Sequence, residues 1–167
     1  MDGIETNKLL CKIARGDNTA FEELYLKTAR GVYAFIYSYL KNAHDTEDVL
    51  QTVYLKIKRN ISSYRAGTNG RAWIFQIAKN QALTQIKQNA RVEDVEKSPA
   101  DGFLKSEITD AMQRVLTEDE QRIIILHVLW GYKHREIATL LECPTGTVTS
   151  KYKRAIEKMR DALKENV

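Results

Sequence analysis

The sequence of 167 residues predicts an all-α protein with two small helical domains joined by a flexible linker. Three observations favour this fold class. Apolar residues recur at helical spacing over most of the chain, both prolines fall between those stretches, and one segment without periodicity separates them into two groups. We therefore expect domains over 1–91 and 107–167, with the linker over 92–106.

The first domain is predicted to contain three long amphipathic helices. The first begins at a capping box formed by Thr19 and Glu22, and the second opens with Asp45 and Asp48 ahead of an apolar stripe. The third follows a glycine-containing loop over 65–70. Their apolar faces should pack together as one bundle.

The second domain is predicted to contain a helix-turn-helix. Thr117 and Glu120 supply a capping box before a helix that Gly131 ends, and 133–155 has the pattern of two helices around a tight turn. The second of these helices starts near Thr145. Its apolar face, which we expect to be buried, contains Val148, Tyr152, Ala155, Met159 and Leu163.

The other face of that helix is rich in donors suited to phosphate oxygens and base edges. It carries Thr147, Thr149, Ser150, Lys151, Lys153, Arg154 and Lys158. The chain has a net charge of +4, and 143–167 holds six basic against three acidic residues, so positive charge concentrates there. A merely solvated basic face is the alternative. The preceding turn and helix favour DNA binding over it.

The composition of the chain argues against several classes of function. No apolar run approaches the roughly 18 residues that span a bilayer, and the N-terminus has no secretory pattern, so we expect a cytoplasmic protein. Cys11 and Cys143 have no cysteine or histidine at ligand spacing, which predicts buried, reduced thiols. The three histidines have no carboxylate arranged for catalysis, and there is no phosphate-binding glycine loop. We therefore expect no metal, no cofactor and no enzymatic activity.

These motifs resemble those of bacterial RNA polymerase sigma factors of the extracytoplasmic-function (ECF) class, which contain little more than a sigma-two and a sigma-four domain. In the second domain the matching residues are Glu136, Ile137, Ala138, Leu140, Leu141, Pro144, Gly146, Thr147, Val148, Ser150, Arg154 and Ala155. In the first domain they are Asp48 and Gln51 of a D-x-x-Q signature, and Trp73, Ile77, Ala78 and Asn80 of a W-x-x-x-I-A-x-N signature.

The resemblance implies three binding surfaces. Core RNA polymerase would bind helix 45–60 at Asp48, Gln51, Thr52 and Leu55. The melted proximal promoter element would bind the 62–70 loop and helix 71–91 at Tyr64, Arg65, Asn69, Arg71, Gln76, Lys79, Asn80 and Lys87. The distal promoter element would bind Arg135, Thr147, Thr149, Ser150, Lys151, Lys153 and Arg154. An anti-sigma factor is a further implied partner, and direct membrane insertion is not expected.

Several departures from the family pattern predict an unusual promoter preference. Thr52, Lys133 and Glu142 stand where the family often has glutamate, a serine-like cap and the glycine of the turn. Thr84 with Lys87 replaces an aspartate and an arginine. A further departure, Thr149, removes a candidate guanine-reading arginine.

Alternatives remain open at two levels. Trp73 suits a core anchor better than a base-stacking platform, and Asn80 could support the bundle as well as bind DNA. The whole chain could instead be a stand-alone helix-turn-helix regulator, whose first domain dimerises or senses a ligand, or an RNA-binding helical adaptor.

Overall fold

The computed structural model describes residues 2–91 and 107–164, and the predicted linker over 92–106 lies outside them. The chain divides into two compact units, Met1–Pro99 and Ala100–Val167. All regular secondary structure in the described residues is helical, which confirms the predicted all-α class. The limits of 1–91 and 107–167 for the two domains stay a prediction.

Residues 2–91 of the first unit form four α-helices. They are α1 (Gly3–Ala14), α2 (Asn18–Leu40), α3 (Ala43–Arg59) and α4 (Gly70–Asn89), with a 3₁₀ turn at Ile61–Ser63. The last three correspond to the three helices that the sequence predicts. Helix α1 was not predicted as a separate element.

The predicted starts of α2 and α3 were wrong. Asp17 caps α2 by accepting a hydrogen bond from Ala20 N–H at 3.0 Å. Asn42 caps α3 by accepting one from Asp45 N–H at 3.0 Å. Aspartate and asparagine are better N-caps than threonine, so α2 begins ahead of the predicted Thr19 cap. In α3 an asparagine three residues upstream does the capping, which places Asp45 inside the first turn.

Aromatic side chains hold the core of the first unit together. The buried rings of Phe35 on α2 and Phe75 on α4 meet edge to face, with 5.0 Å between their centroids. Tyr54 on α3 brings its hydroxyl within 2.5 Å of Thr28 Oγ1 on α2. Burial raises the pKa of Tyr54. These contacts fix α2, α3 and α4 as one scaffold, on which the exposed side of each helix is held in place.

The second unit contains α5 (Glu107–Val115), α6 (Glu118–Ile124), α7 (His134–Leu141) and α8 (Thr145–Lys164). The predicted capping box of α6 is confirmed. After α6 the chain continues as a π-helical turn, Ile125–Leu129, which the sequence did not predict. Gly131 follows with a left-handed φ of 66°, as expected for the glycine that ends this segment.

One cluster of the core of the second unit joins α5, α6 and α8. It is built from Ala111, Leu116, Ile124, Ala155 and Met159. The predicted burial of Leu163 was wrong, because the buried cluster ends at Met159 and the last turn of α8 leaves Leu163 exposed.

Candidate nucleic-acid and protein interfaces

The outer side of α3 brings together the four residues predicted to bind polymerase. Asp48, Gln51 and Leu55 are exposed, and the partly buried Thr52 donates its hydroxyl to Asp48 O at 2.9 Å. Positions three and four residues apart lie along one side of a helix, so these groups form one surface. Leu55 is 55% exposed, which places an apolar side chain beside polar ones. Such a mixed surface suits contact with another protein.

A histidine accompanies this surface. His44 Nδ1 lies 3.1 Å from an Asp48 carboxylate oxygen, one helical turn away. Both side chains are largely exposed, so the pair is a weak surface interaction that leaves Asp48 accessible.

The loop before α4 is held by residues predicted to contact DNA. Asn69 caps α4, since its Oδ1 accepts from Ala72 N–H at 3.1 Å. Tyr64 is buried, with its ring 5.4 Å from that of Trp73, and its hydroxyl donates to Thr68 O at 3.3 Å. Burial raises the pKa of Tyr64. Tyr64 therefore supports the loop from beneath, while Trp73 is partly buried against it.

The outer side of α4 presents most of the other predicted contacts. Gln76 and Asn80 are exposed and joined by a 3.1 Å hydrogen bond from Gln76 Nε2 to Asn80 Oδ1. Lys87 is exposed and Arg71 is partly buried. Lys79 is only 7% exposed, because it lies one turn after the core residue Phe75 on the packed side of the helix. The structure thus does not place Lys79 where it could meet a DNA strand.

The helix-turn-helix has a tight turn at Glu142. This residue has φ 57° and ψ 47°, a left-handed conformation in which glycine is favoured. At the start of α7, Lys133 N–H donates to Glu136 Oε2 at 2.7 Å. Exposed on these two helices are Arg135, Ser150, Lys153 and Arg154, and partly buried are Thr147, Thr149 and Lys151.

Acidic residues at the start of α6 meet the basic side of α8. Asp119 accepts a hydrogen bond from Lys151, which lowers the pKa of Asp119. Glu120 accepts from Lys158 Nζ at 2.8 Å, and its other oxygen lies 4.0 Å from Arg154 Nε. Burial acts to raise the pKa of Glu120, but hydrogen bonds from Lys158 and Thr117 outweigh it, and the pKa is lowered.

The donor-rich face predicted for α8 is therefore divided. Lys151 and Lys158 pair with α6, whereas Ser150 and Lys153 are exposed and Arg154 remains largely so. The ion pairs between α6 and α8 do not correspond to any short sequence motif. The spacing of residues within α8 alone therefore could not reveal them.

The described residues contain neither a cluster suited to a metal ion nor a helix suited to a membrane. No group of three or more histidine, cysteine, aspartate or glutamate side chains in 2–91 or 107–164 could hold a metal ion. Over the same residues, no helix combines the length and apolar character needed to cross a membrane. Cys11 and Cys143 are both free thiols, and each is half-buried where the sequence predicted burial.

Two family profiles match the chain. Sigma-70 region 2 matches 24–92, and Sigma-70, region 4 matches 106–159. Curated proteins show similarity over most of the chain. The RNA polymerase sigma-H factor of Pseudomonas aeruginosa is 28% identical over 181 residues, which cover 95% of this chain and 94% of that protein. The ECF RNA polymerase sigma-E factor of Escherichia coli K12 is 28% identical over 171 residues, 89% of each chain.

Two solved structures have a similar fold. The sigma factor RpoE of Bartonella quintana, crystallised with the anti-sigma factor NepR, has a TM-score of 0.65 and 25% identity over 86% of this chain and 96% of its own. CnrH in complex with the cytosolic domain of CnrY has a TM-score of 0.64 over 98% of this chain and 99% of its own. The identity to CnrH is 19%, so that likeness concerns the fold alone.

The two profiles follow one another along the chain and fall on the two helical units. Together with relatives that align over almost the whole length, they show that the chain belongs to the sigma-70 family of RNA polymerase sigma factors, in its extracytoplasmic-function class.

Proposed function

We propose that this sigma factor binds core RNA polymerase through the outer side of α3 and directs initiation at promoters that its two units recognise. The observation that carries the proposal is the surface formed by Asp48, Gln51 and Leu55. These side chains are exposed on a helix whose other side is buried in the bundle. The membership of the sigma-70 family supports the same assignment.

The proximal promoter element is assigned to the loop before α4 and to the outer side of α4. Arg65, Asn69, Gln76, Asn80 and Lys87 are exposed there and offer charge and amide groups to an unstacked base and its backbone. Tyr64 and Lys79 are left out of the direct contacts because both are buried. Their proposed role is to support the exposed residues.

The distal promoter element is assigned to the second unit. Arg135 on α7, with Ser150, Lys153 and Arg154 on α8, supplies the exposed donors. A good bidentate contact to a base discriminates by about 1–3 kcal/mol, so a few such side chains suffice for a short element. Each of the two promoter contacts is weak alone. Polymerase, by holding both units on one DNA molecule, would convert them into a specific complex.

An anti-sigma factor and a cytoplasmic location are part of the proposal. RpoE of Bartonella quintana was crystallised with the anti-sigma factor NepR. The exposed Leu55 and the polar groups around it form a surface that polymerase and an anti-sigma factor could both require. Competition between the two proteins for α3 would then keep the sigma factor inactive.

In vitro transcription with core polymerase and a randomised promoter library tests the proposal. The chain should co-purify with core polymerase, and transcripts should start downstream of a recurrent pair of sequence elements. A stand-alone regulator would instead bind duplex DNA tightly without polymerase and select a palindrome. Failure to bind core polymerase or to support specific starts would refute the proposal.

A further inference from the structure

Helix α1 lies ahead of the region 2 match, which begins at residue 24, and no role has been assigned to it. Its side chain Asn7 makes a contact across the first unit. Asn7 Oδ1 accepts a hydrogen bond from Gly70 N–H at 2.8 Å, although the two residues are 63 positions apart in the sequence. Gly70 is the first residue of α4 and directly follows the 65–69 loop. Helix α1 therefore holds the end of that loop.

The approach of α1 to Gly70 is close. A Cβ atom at position 70 would lie 2.6 Å from Asn7 Oδ1 and 2.6 Å from Leu10 Cδ1, and real Cβ atoms essentially never have such short contacts. Leu10 is fully buried, so it cannot easily move away. Only glycine allows the backbone to reach the Asn7 side chain. The contact thus fixes where α4 and its preceding loop begin.

Helix α1 is itself anchored to α2. Lys27 on α2 donates hydrogen bonds to Glu5 on α1 and to Glu23 on its own helix, and these hydrogen bonds raise the pKa of Lys27. The buried side chains Leu9, Leu10 and Ile13 pack α1 into the bundle. A helix fixed in this way can act as a rigid support for the loop.

The loop residues beside this support are those assigned to the proximal promoter element. A shallow groove of about 470 Å³, open to solvent, lies between the first turn of α1 and the loop, and its lining includes Asn7, Asn69 and Arg71. Arg65 is exposed, so its side chain gains little order from packing, whereas the side chain of Asn69 is held by the hydrogen bond from Ala72 N–H. Ordering a loop during binding reduces affinity, and a contact that orders it beforehand removes part of that cost.

We propose that Asn7 is a positioning residue for recognition of the proximal promoter element. It does not contact DNA but holds the 65–69 loop, through Gly70 at the start of α4, in the conformation that binds the melted strand. This inference rests on the proposed function, because it requires the loop to be a DNA contact. It adds α1, which is outside the region 2 match, to the DNA-binding apparatus of the chain.

The test uses the full chain assembled with core polymerase. The probe is a pre-melted template carrying a promoter recovered from the library, labelled on the single strand of its proximal element. Asn7→Ala removes the acceptor and keeps a good helix former. Asn7→Leu also removes the acceptor but keeps a similar side-chain volume. Asn18→Ala, the same substitution at an exposed position on α2, is the matched control.

We expect both Asn7 variants to bind the single strand about three- to tenfold more weakly, as the loss of one net hydrogen bond implies. Their affinity for core polymerase should not change, because α3 is untouched. Arg65→Ala reports direct contact by the loop. The double variant Asn7→Ala, Arg65→Ala tests whether Asn7 acts through the loop. If it does, the affinity for the single strand should fall by less than the product of the two single-variant effects.

The outcomes separate the inference from the proposed function. If Arg65→Ala weakens binding while Asn7→Ala and Asn7→Leu bind like the Asn18→Ala control, the positioning role is overturned and the loop remains a DNA contact. Fully multiplicative effects of Asn7 and Arg65 would also overturn it. If Arg65→Ala has no effect, the assignment of the loop to DNA fails first, and the positioning role fails with it.

Discussion

Replacing Glu120 with alanine is expected to destabilise the second unit by about 2–3 kcal/mol. The Glu120 carboxylate is only 4% exposed and accepts hydrogen bonds from Thr117 N–H at 2.9 Å and from Lys158 Nζ at 2.8 Å. Losing the hydrogen bond to Thr117 costs about 1 kcal/mol, and losing one to a charged group costs about 1.5–3 kcal/mol. Lys158 is 40% exposed and can regain water, which favours the lower end of the second range.

Urea denaturation followed by tryptophan fluorescence measures this effect. The chain has two tryptophans, Trp73 in the first unit and the buried Trp130 in the second, so a Trp73→Phe background makes the signal report on the second unit. Glu118→Ala is the matched control. Its carboxylate is 55% exposed and pairs with Arg122 at 3.0 Å, and Arg122 keeps Asp119 as a second partner at 2.9 Å, so the expected loss is less than about 1 kcal/mol. If Glu118→Ala and Glu120→Ala lower the free energy of unfolding by the same amount, the reasoning is refuted.

Three further predictions concern stability. Glu142→Gly should raise the free energy of unfolding by about 0.5–1 kcal/mol, because φ is 57° there; an unchanged urea midpoint would count against it. Gly70→Ala should destabilise the first unit by about 1–3 kcal/mol through overpacking, which would appear as a lower urea midpoint when unfolding is followed by Trp73 fluorescence. Lowering the pH below about 5 should destabilise the second unit. Asp119 and Glu120 have lowered pKa values in the folded state, so at acidic pH the unfolded chain binds more protons than the folded chain. A free energy of unfolding that stays constant between pH 7 and 3 would contradict this.

Most helices could be predicted because their signals are local. The capping box of Thr117 and Glu120, the helix end at Gly131 and the apolar stripe of α8 each depend on residues close together in the sequence. The structure has all three, although in the stripe Leu163 is exposed and Tyr152 is only partly buried. The contact that joins helix α1 to α4 links Asn7 and Gly70, which lie 63 positions apart in the sequence. The periodicity of α1 alone did not indicate a separate element.

The candidate interfaces could be predicted only in outline. The periodicity of α3 identified the exposed side that holds Asp48 and Leu55. In α4, the spacing of polar residues did not reveal that Lys79 is buried, because burial there is decided by packing against other helices. In α8, the pairing of Lys151 with Asp119 joins residues 32 positions apart, and it depends on how α6 and α8 pack.

The central claim is that the outer side of α3 connects this chain to core RNA polymerase. The direct measurement is transcription from a library-selected promoter by core polymerase with the double variant Asp48→Lys, Gln51→Ala. Both residues are exposed, so the variant should fold normally. Glu47→Lys, an exposed charge reversal on the same helix, is the control. We predict that the double variant loses polymerase binding and transcription while the control keeps both. Unchanged transcription by the double variant would contradict the claim.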